Sequence, residues 1–143
     1  DIASASDAVQ ETFIRVLRGI EFYDSGKPFK PWLYKILVNE CNRAFRSRKK
    51  ELSLSEHGES GLQVEVYDRH PYEEYEELYA AIKELDDINR IPIVLKYLSG
   101  FSESEIAKIL DININTVKSR LFKGRRKLKK ILEKSEERGG LGG

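Results

Sequence analysis

The stretch SESEIAKILDININTVKSRLFKGRRKLKK, residues 102–130, decides how this chain is read. Ser102-Glu103-Ser104-Glu105 has the form of a capping box: Ser102 takes the N-cap, and Glu105, three residues on, returns the bond to the cap's own N–H. Ile106, Ile109 and Leu110 then fall on one face of a short helix, and Ala107 is small enough to let a second helix come close. Asp111-Ile112-Asn113 follows as a turn, since Asp and Asn tolerate left-handed backbone. In the next helix Val117, Leu121 and Leu128 point inward. A small Ala107, a turn four residues later and Val117 ten residues later form the spacing of a helix-turn-helix.

Charge supports that reading. The eight basic residues between Lys118 and Lys130 are interrupted by no acid. Each phosphate such a residue neutralises releases counterions, which gives affinity for DNA that falls with salt. Asn115, Thr116 and Ser119, at the start of the helix, suit base edges. Lys118 and Arg120 suit phosphate or guanine, and Lys123 and Arg126 suit phosphate. The reading helix is therefore expected from about Asn115 to Lys130. An amphipathic helix packed on a protein partner is the plainer alternative.

The net charge of +1 conceals an uneven layout. Residues 1–50 hold ten basic and six acidic side chains, residues 51–90 three and twelve, and residues 91–143 twelve and six. Two basic ends thus flank an acidic middle. At 143 residues the chain has room for two small helical domains and a linker. A single cysteine, Cys41, excludes an internal disulfide, and His57 and His70 stand apart with no cysteine nearby, so neither a metal site nor a cofactor site is expected. No apolar run approaches the roughly 20 residues that span a bilayer, so a cytoplasmic protein without membrane insertion is expected. The chain holds no methionine, which reads as a segment missing before Asp1.

Outward from the motif, the periodicity is helical throughout, and an all-α fold is expected. Val9, Phe13, Val16 and Leu17 mark a helix over Asp7 to Arg18, capped by Ser6 or Asp7 and followed by Gly19. Glu21 to Lys30, with Gly26, Pro28, Phe22, Tyr23 and Phe29, reads as an ordered loop. Pro31 suits the first position of a long helix that runs to about Lys50. Leu33, Ile36, Leu37, Cys41, Ala44 and Phe45 form its apolar stripe. Lys35, Asn39, Asn42, Arg46 and Lys49 form a polar one, in which Glu40 is the only acid; it is either a solvated face or a DNA-facing one. Residues 51–71 read as a linker and residues 72–135 as the second domain, with a helix through Tyr75, Leu78, Tyr79, Ile82 and Leu85. Another runs from about Arg90 to Leu98 with Pro92 in its first turn and ends at Gly100. Residues 136–143 read as a flexible tail.

Three stretches in order carry a family resemblance: Asp7-Ala8-Val9-Gln10-Glu11-Thr12-Phe13, Phe29-Lys30-Pro31-Trp32-Leu33-Tyr34-Lys35-Ile36, and Ser104-Glu105-Ile106-Ala107 with Thr116-Val117-Lys118-Ser119-Arg120-Leu121. Together they resemble bacterial sigma factors, specifically the small extracytoplasmic-function group that keeps regions 2 and 4. The resemblance implies a subunit that binds core RNA polymerase and directs it to promoter DNA, with no catalytic chemistry of its own and with an anti-sigma protein as a partner. It implies polymerase docking by Asp7, Gln10 and Glu11. It also implies minus-10 recognition and capture of an unstacked base by Phe29 and Trp32 with Lys35, Asn39, Arg43 and Arg46, although Phe29 and Trp32 fit a core equally well. Reading of the minus-35 element falls to Asn115, Thr116, Lys118, Ser119, Arg120, Lys123 and Arg126. The family's region 2 includes helices that would precede Asp1, so the apolar face of residues 1–50 is expected to lack packing partners. A helix-turn-helix regulator that never joins polymerase is the alternative.

Overall fold

The structure, a computed structural model, describes residues 2–54 and 75–140, and among these all regular structure is helical. The chain divides into two compact units, Asp1–Val66 and Tyr67–Gly143. Most of the stretch expected as a linker, from residue 55 on, lies outside the described residues, as do residues 72–74, His57 and His70.

In the first unit α1 (Ile2–Gly19) packs along α2 (Phe29–Leu54). A 3-10 turn, Ile20–Phe22, leads into the connecting loop. Helix α1 begins earlier than its cap signals suggest, so Ser6 and Asp7 lie inside it. Such residues favour caps but are tolerated within a helix whose other face is packed. The buried side of α1 also differs from expectation: Ala8, Thr12 and Val16 turn inward, while Val9, Phe13 and Leu17 face solvent. Small side chains let the two helices approach, and the Thr12 hydroxyl donates to the Ala8 carbonyl at 2.7 Å, so its burial leaves no polar group unpaired. Helix α2 starts at Phe29, which moves Pro31 from the first to the third position. That still lies among the first four residues, whose N–H groups lack helical partners, so the ring costs little. Val38 and Glu40 are its buried residues, and Phe45, expected on the apolar stripe, is exposed.

The second unit contains α3 (Glu76–Glu84), α4 (Asp87–Ile93), α5 (Glu103–Leu110) and α6 (Ile114–Gly140). Arg90 donates to the Lys83 and Leu85 carbonyls at 3.0 and 3.1 Å, placing a cation at the negative end of α3. Because α4 begins at Asp87, Pro92 sits well inside it and not in its first turn. Two residues beyond the proline the backbone widens into a π turn, Val94–Leu98, and Gly100, at φ 77°, ends it. Ile93, Leu95, Phe101, Ile106, Ile109, Val117 and Leu121 form the core, with α6 lying against α3, α4 and α5. Helix α6 runs past Lys130 and through residues 136–140, which the composition had suggested were flexible.

Candidate nucleic-acid interface

The turn between α5 and α6 is built by local hydrogen bonds. Ser102 Oγ accepts from the Glu105 N–H at 3.1 Å while Glu105 Oε1 accepts from the Ser102 N–H at 3.0 Å, the reciprocal box expected there. Asp111 ends α5 in the left-handed region at φ 54°. Asn113 Oδ1 then accepts from the Asn115 N–H at 2.8 Å, and Asn113 O accepts the first helical bond, from Val117. The side chain of Asn113 thus satisfies one of the donors that a helix start leaves open. Asn115, the second residue of α6, is exposed.

Val117, Leu121 and Gly124 are buried on one side of α6, which leaves the opposite side open to solvent. Asn115, Ser119, Lys123 and Arg126 lie on that outer side and are exposed; Lys118 is exposed on one flank, and Thr116 and Arg120 are half-buried on the other. All seven predicted reading residues therefore belong to one helix, but only the first four stand squarely opposite its core. The structure also sorts the basic run. Arg125 donates to the Tyr97 hydroxyl at 3.0 Å, and Lys127 Nζ pairs with Asp86 at 3.0 Å, so both cations brace α6 against the chain before α5. Arg126 lies over the ring of Phe122, 5.7 Å from its centroid. Phe122 had not been singled out in the sequence, although it falls seven residues after Asn115 and three after Ser119.

At Gly124 α6 comes close to α4. A Cβ built there would meet Ile93 Cγ1 at 2.9 Å and the Asn89 carbonyl at 3.3 Å. Only glycine lets α6 sit this near α4. A glycine in a basic run carries no signal of this kind, because Ile93 is far away in sequence.

In the first unit Tyr23, Phe29 and Trp32 form an aromatic cluster with centroids 4.9 to 5.5 Å apart. Trp32 is half-buried, packed near Gly19, while Phe29 keeps an exposed face. The Tyr23 hydroxyl donates to the Lys27 carbonyl, and the Gly26 N–H donates to Asp24 Oδ1 at 2.9 Å, which closes the loop beneath the cluster. Lys35, Asn39, Arg43 and Arg46 follow Trp32 along α2 and are all exposed.

Glu40, which looked like a lone acid in the basic stripe, is instead buried against α1. Its carboxylate, 5% exposed, meets Arg15 at 2.5 Å and Arg43 at 3.7 Å, and Arg15 also meets Glu11 at 3.5 Å. A buried carboxylate needs such partners to offset its lost hydration. Of the three predicted docking residues, Asp7 and Gln10 are exposed and Glu11 belongs to this chain of charges. The Cys41 thiol is half-buried; burial, and then the charge of Glu40, push its pKa above the ordinary thiol value. Among the described residues no group of His, Cys, Asp and Glu is placed to hold a metal ion, and no helix is long and apolar enough to cross a membrane.

Comparison with known proteins adds independent findings. Residues 1–51 match the family model for sigma-70 region 2, and residues 75–128 match the one for sigma-70 region 4. The chain is 31% identical over 128 residues to the ECF RNA polymerase sigma factor EcfG of Rhodopseudomonas palustris, covering 90% of this chain and 71% of that protein. It is 33% identical over 144 residues to the ECF RNA polymerase sigma factor SigW of Bacillus subtilis, covering 92% and 77%. Among solved structures, the sigma factor RpoE in complex with the anti-sigma factor NepR from Bartonella quintana is similar at a TM-score of 0.76 and 30% identity, over 90% of this chain and 80% of that one. CnrH, in complex with the cytosolic domain of CnrY, shares the fold at a TM-score of 0.62 and 24% identity, over 90% of this chain and 70% of that one.

Proposed function

We infer the division of labour in this molecule from its membership: the chain belongs to the extracytoplasmic-function group of RNA polymerase sigma factors, within the sigma-70 family. Its first unit docks on core RNA polymerase through the exposed face of α1, with Asp7 and Gln10 at the contact and Glu11 beside them. The same unit engages the minus-10 element. Phe29 and Trp32 offer an aromatic surface to an unstacked base, and Lys35, Asn39, Arg43 and Arg46 line the path along α2. The second unit reads the minus-35 element through α6. Asn115 and Ser119 address base edges, Thr116 and Arg120 support them from the flank, and Lys118, Lys123 and Arg126 hold phosphate or guanine.

The observation that carries this reading is the face of α6 opposite Val117, Leu121 and Gly124, which is polar and cationic and stands on a capped helix-turn-helix. The protein acts in the cytoplasm, supplies binding and no catalysis, and passes its promoter choice to polymerase. An anti-sigma protein holds it inactive; the similar sigma factor RpoE is found in complex with an anti-sigma factor, NepR.

Promoter-dependent transcription by purified core polymerase tests the whole. Addition of the chain is expected to start transcripts from its own promoters, and Lys123→Ala with Arg126→Ala to reduce the salt dependence of promoter binding. A chain that binds promoter DNA without stimulating core polymerase at any of its promoters would overturn the reading.

A further inference from the structure

We propose, building on the reading of the outer side of α2 as the minus-10 surface, that Arg15 on α1 decides whether Arg43 on α2 is free to hold a DNA phosphate. Arg15 and Glu40 are then positioning residues for that grip. Lys35, Asn39, Arg43 and Arg46 step along α2 at intervals of four, four and three residues, and all four are exposed. Glu40 lies one turn before Arg43 on the same helix, with its side chain only 5% exposed. An anion buried beneath a row of phosphate ligands works against them, by repelling phosphate and by drawing in the nearest cation. It does so unless another cation cancels it.

The geometry shares Glu40 unequally. Its Oε1 lies 2.5 Å from Arg15 Nε and 3.7 Å from Arg43 Nη1, and Arg15 is 40% exposed where Arg43 is 59% exposed. Attraction weakens with distance and with exposure to water, so Arg15 takes most of the carboxylate's charge and Arg43 is held loosely. Glu11, one turn before Arg15 on α1, lies 3.5 Å from the same Nε and steadies the guanidinium from its own helix. Without Arg15 the balance changes. Among the described residues Arg43 is the other cation within 4 Å of Glu40, and a buried carboxylate left with one partner pulls it in. Arg43 then joins Lys127 of the second unit, which Asp86 already commits to the fold. The outer side of α2 loses one of its three cations, although the residue removed belongs to the other helix.

The test uses the full chain bound to core RNA polymerase and promoter DNA left unpaired over the minus-10 element, with affinity measured across a salt series. Arg43→Gln is expected to lower the salt slope by about 0.7, the share of one single-strand phosphate. Arg15→Gln is expected to lower it equally and to add nothing to Arg43→Gln. Combining Arg15→Gln with Glu40→Gln should restore the wild-type slope, because no anion is left to draw Arg43 in. A structural role alone would move the unfolding midpoint and not the slope, and Trp32 fluorescence of each variant shows that it is folded under the assay conditions. Should Arg15→Gln unfold, Arg15→Lys carries the same test, since an ammonium does not replace a guanidinium on a carboxylate. Its slope is expected to fall by a smaller amount, which Glu40→Gln again restores. A wild-type slope in the Arg15 variant beside a lowered one in Arg43→Gln would overturn the proposal and leave the minus-10 assignment in place. So would a double variant whose slope stays low. A wild-type slope in Arg43→Gln would overturn both.

Discussion

The second unit encloses a core of large side chains, and the first buries mostly small ones. Ile93, Ile106, Val117 and Leu121 are enclosed by α3 to α6, each at 2% exposure or less. In the first unit α1 and α2 meet through Ala8, Thr12, Val16, Val38 and Glu40, while Phe13 and Leu17 remain 59% and 74% exposed and Phe22 reaches 86%. Packing holds the one, and a buried carboxylate between two guanidiniums pins the other. The two units should therefore respond to opposite kinds of damage: the second to lost volume, the first to lost charge. The exposed apolar residues of α1, Phe13 and Leu17 among them, form a surface on which a protein could replace water.

The comparison breaks most directly at the core leucine. Leu121→Ala is expected to destabilise the second unit by about 3–5 kcal/mol, whereas Leu17→Ala should cost the first less than about 0.5 kcal/mol, because its side chain is already in water. Urea unfolding followed by far-UV circular dichroism reads both helical units together, and the part of the transition not shared with Trp32 belongs to the second. Fluorescence of Trp32, the only tryptophan, reads the first. Equal losses at the two leucines would mean that the α1 face is covered in solution.

A smaller effect is expected at Arg15. Arg15→Ala leaves the buried Glu40 with Arg43 alone and should lower the stability of the first unit by about 2 kcal/mol. That is below the range for a fully buried pair, since Arg15 is 40% exposed. The Trp32 unfolding midpoint measures it, and Arg15→Lys should recover part of the loss. No change in that midpoint would show that the ion pair merely decorates the helix contact.

The smallest effect belongs to Cys41. Its thiol loses a proton less readily in the folded unit than in the unfolded chain, so stability is full below the ordinary thiol value. It declines as the pH rises from that value through the raised one. The slope is read from Trp32 unfolding between about pH 7 and 10, and Cys41→Ala should abolish it. A slope that survives in Cys41→Ala would assign it to another group.

What was legible in the sequence follows the same division. The capping box at Ser102, the Asp111 turn and the inward Val117 and Leu121 were readable because each depends on residues within a few positions. The periodicity of α1 announced an amphipathic helix, but which side met α2 was set by the small Ala8 and Thr12, and size complementarity across helices has no local signature. Glu40 looked like an interruption of a basic face because Arg15, its main partner, lies on the other helix. Nothing local set Arg125 and Lys127 apart within the basic run either, since their partners Tyr97 and Asp86 lie well upstream in the chain. Local chemistry identified the candidate interface, and distant contacts decided which of its cations are committed to the fold.

Gly124 has a consequence for anyone who would make this protein sturdier. Exchanging a helical glycine for alanine is a standard stabilising step, because it restricts the unfolded chain and favours the helix. At Gly139, where a Cβ would have nothing within 4 Å, that logic holds. At Gly124 the added methyl would drive into Ile93 and wedge α6 away from α4. The most inviting site for improvement in the first half of α6 is therefore the one where the methyl is least tolerable.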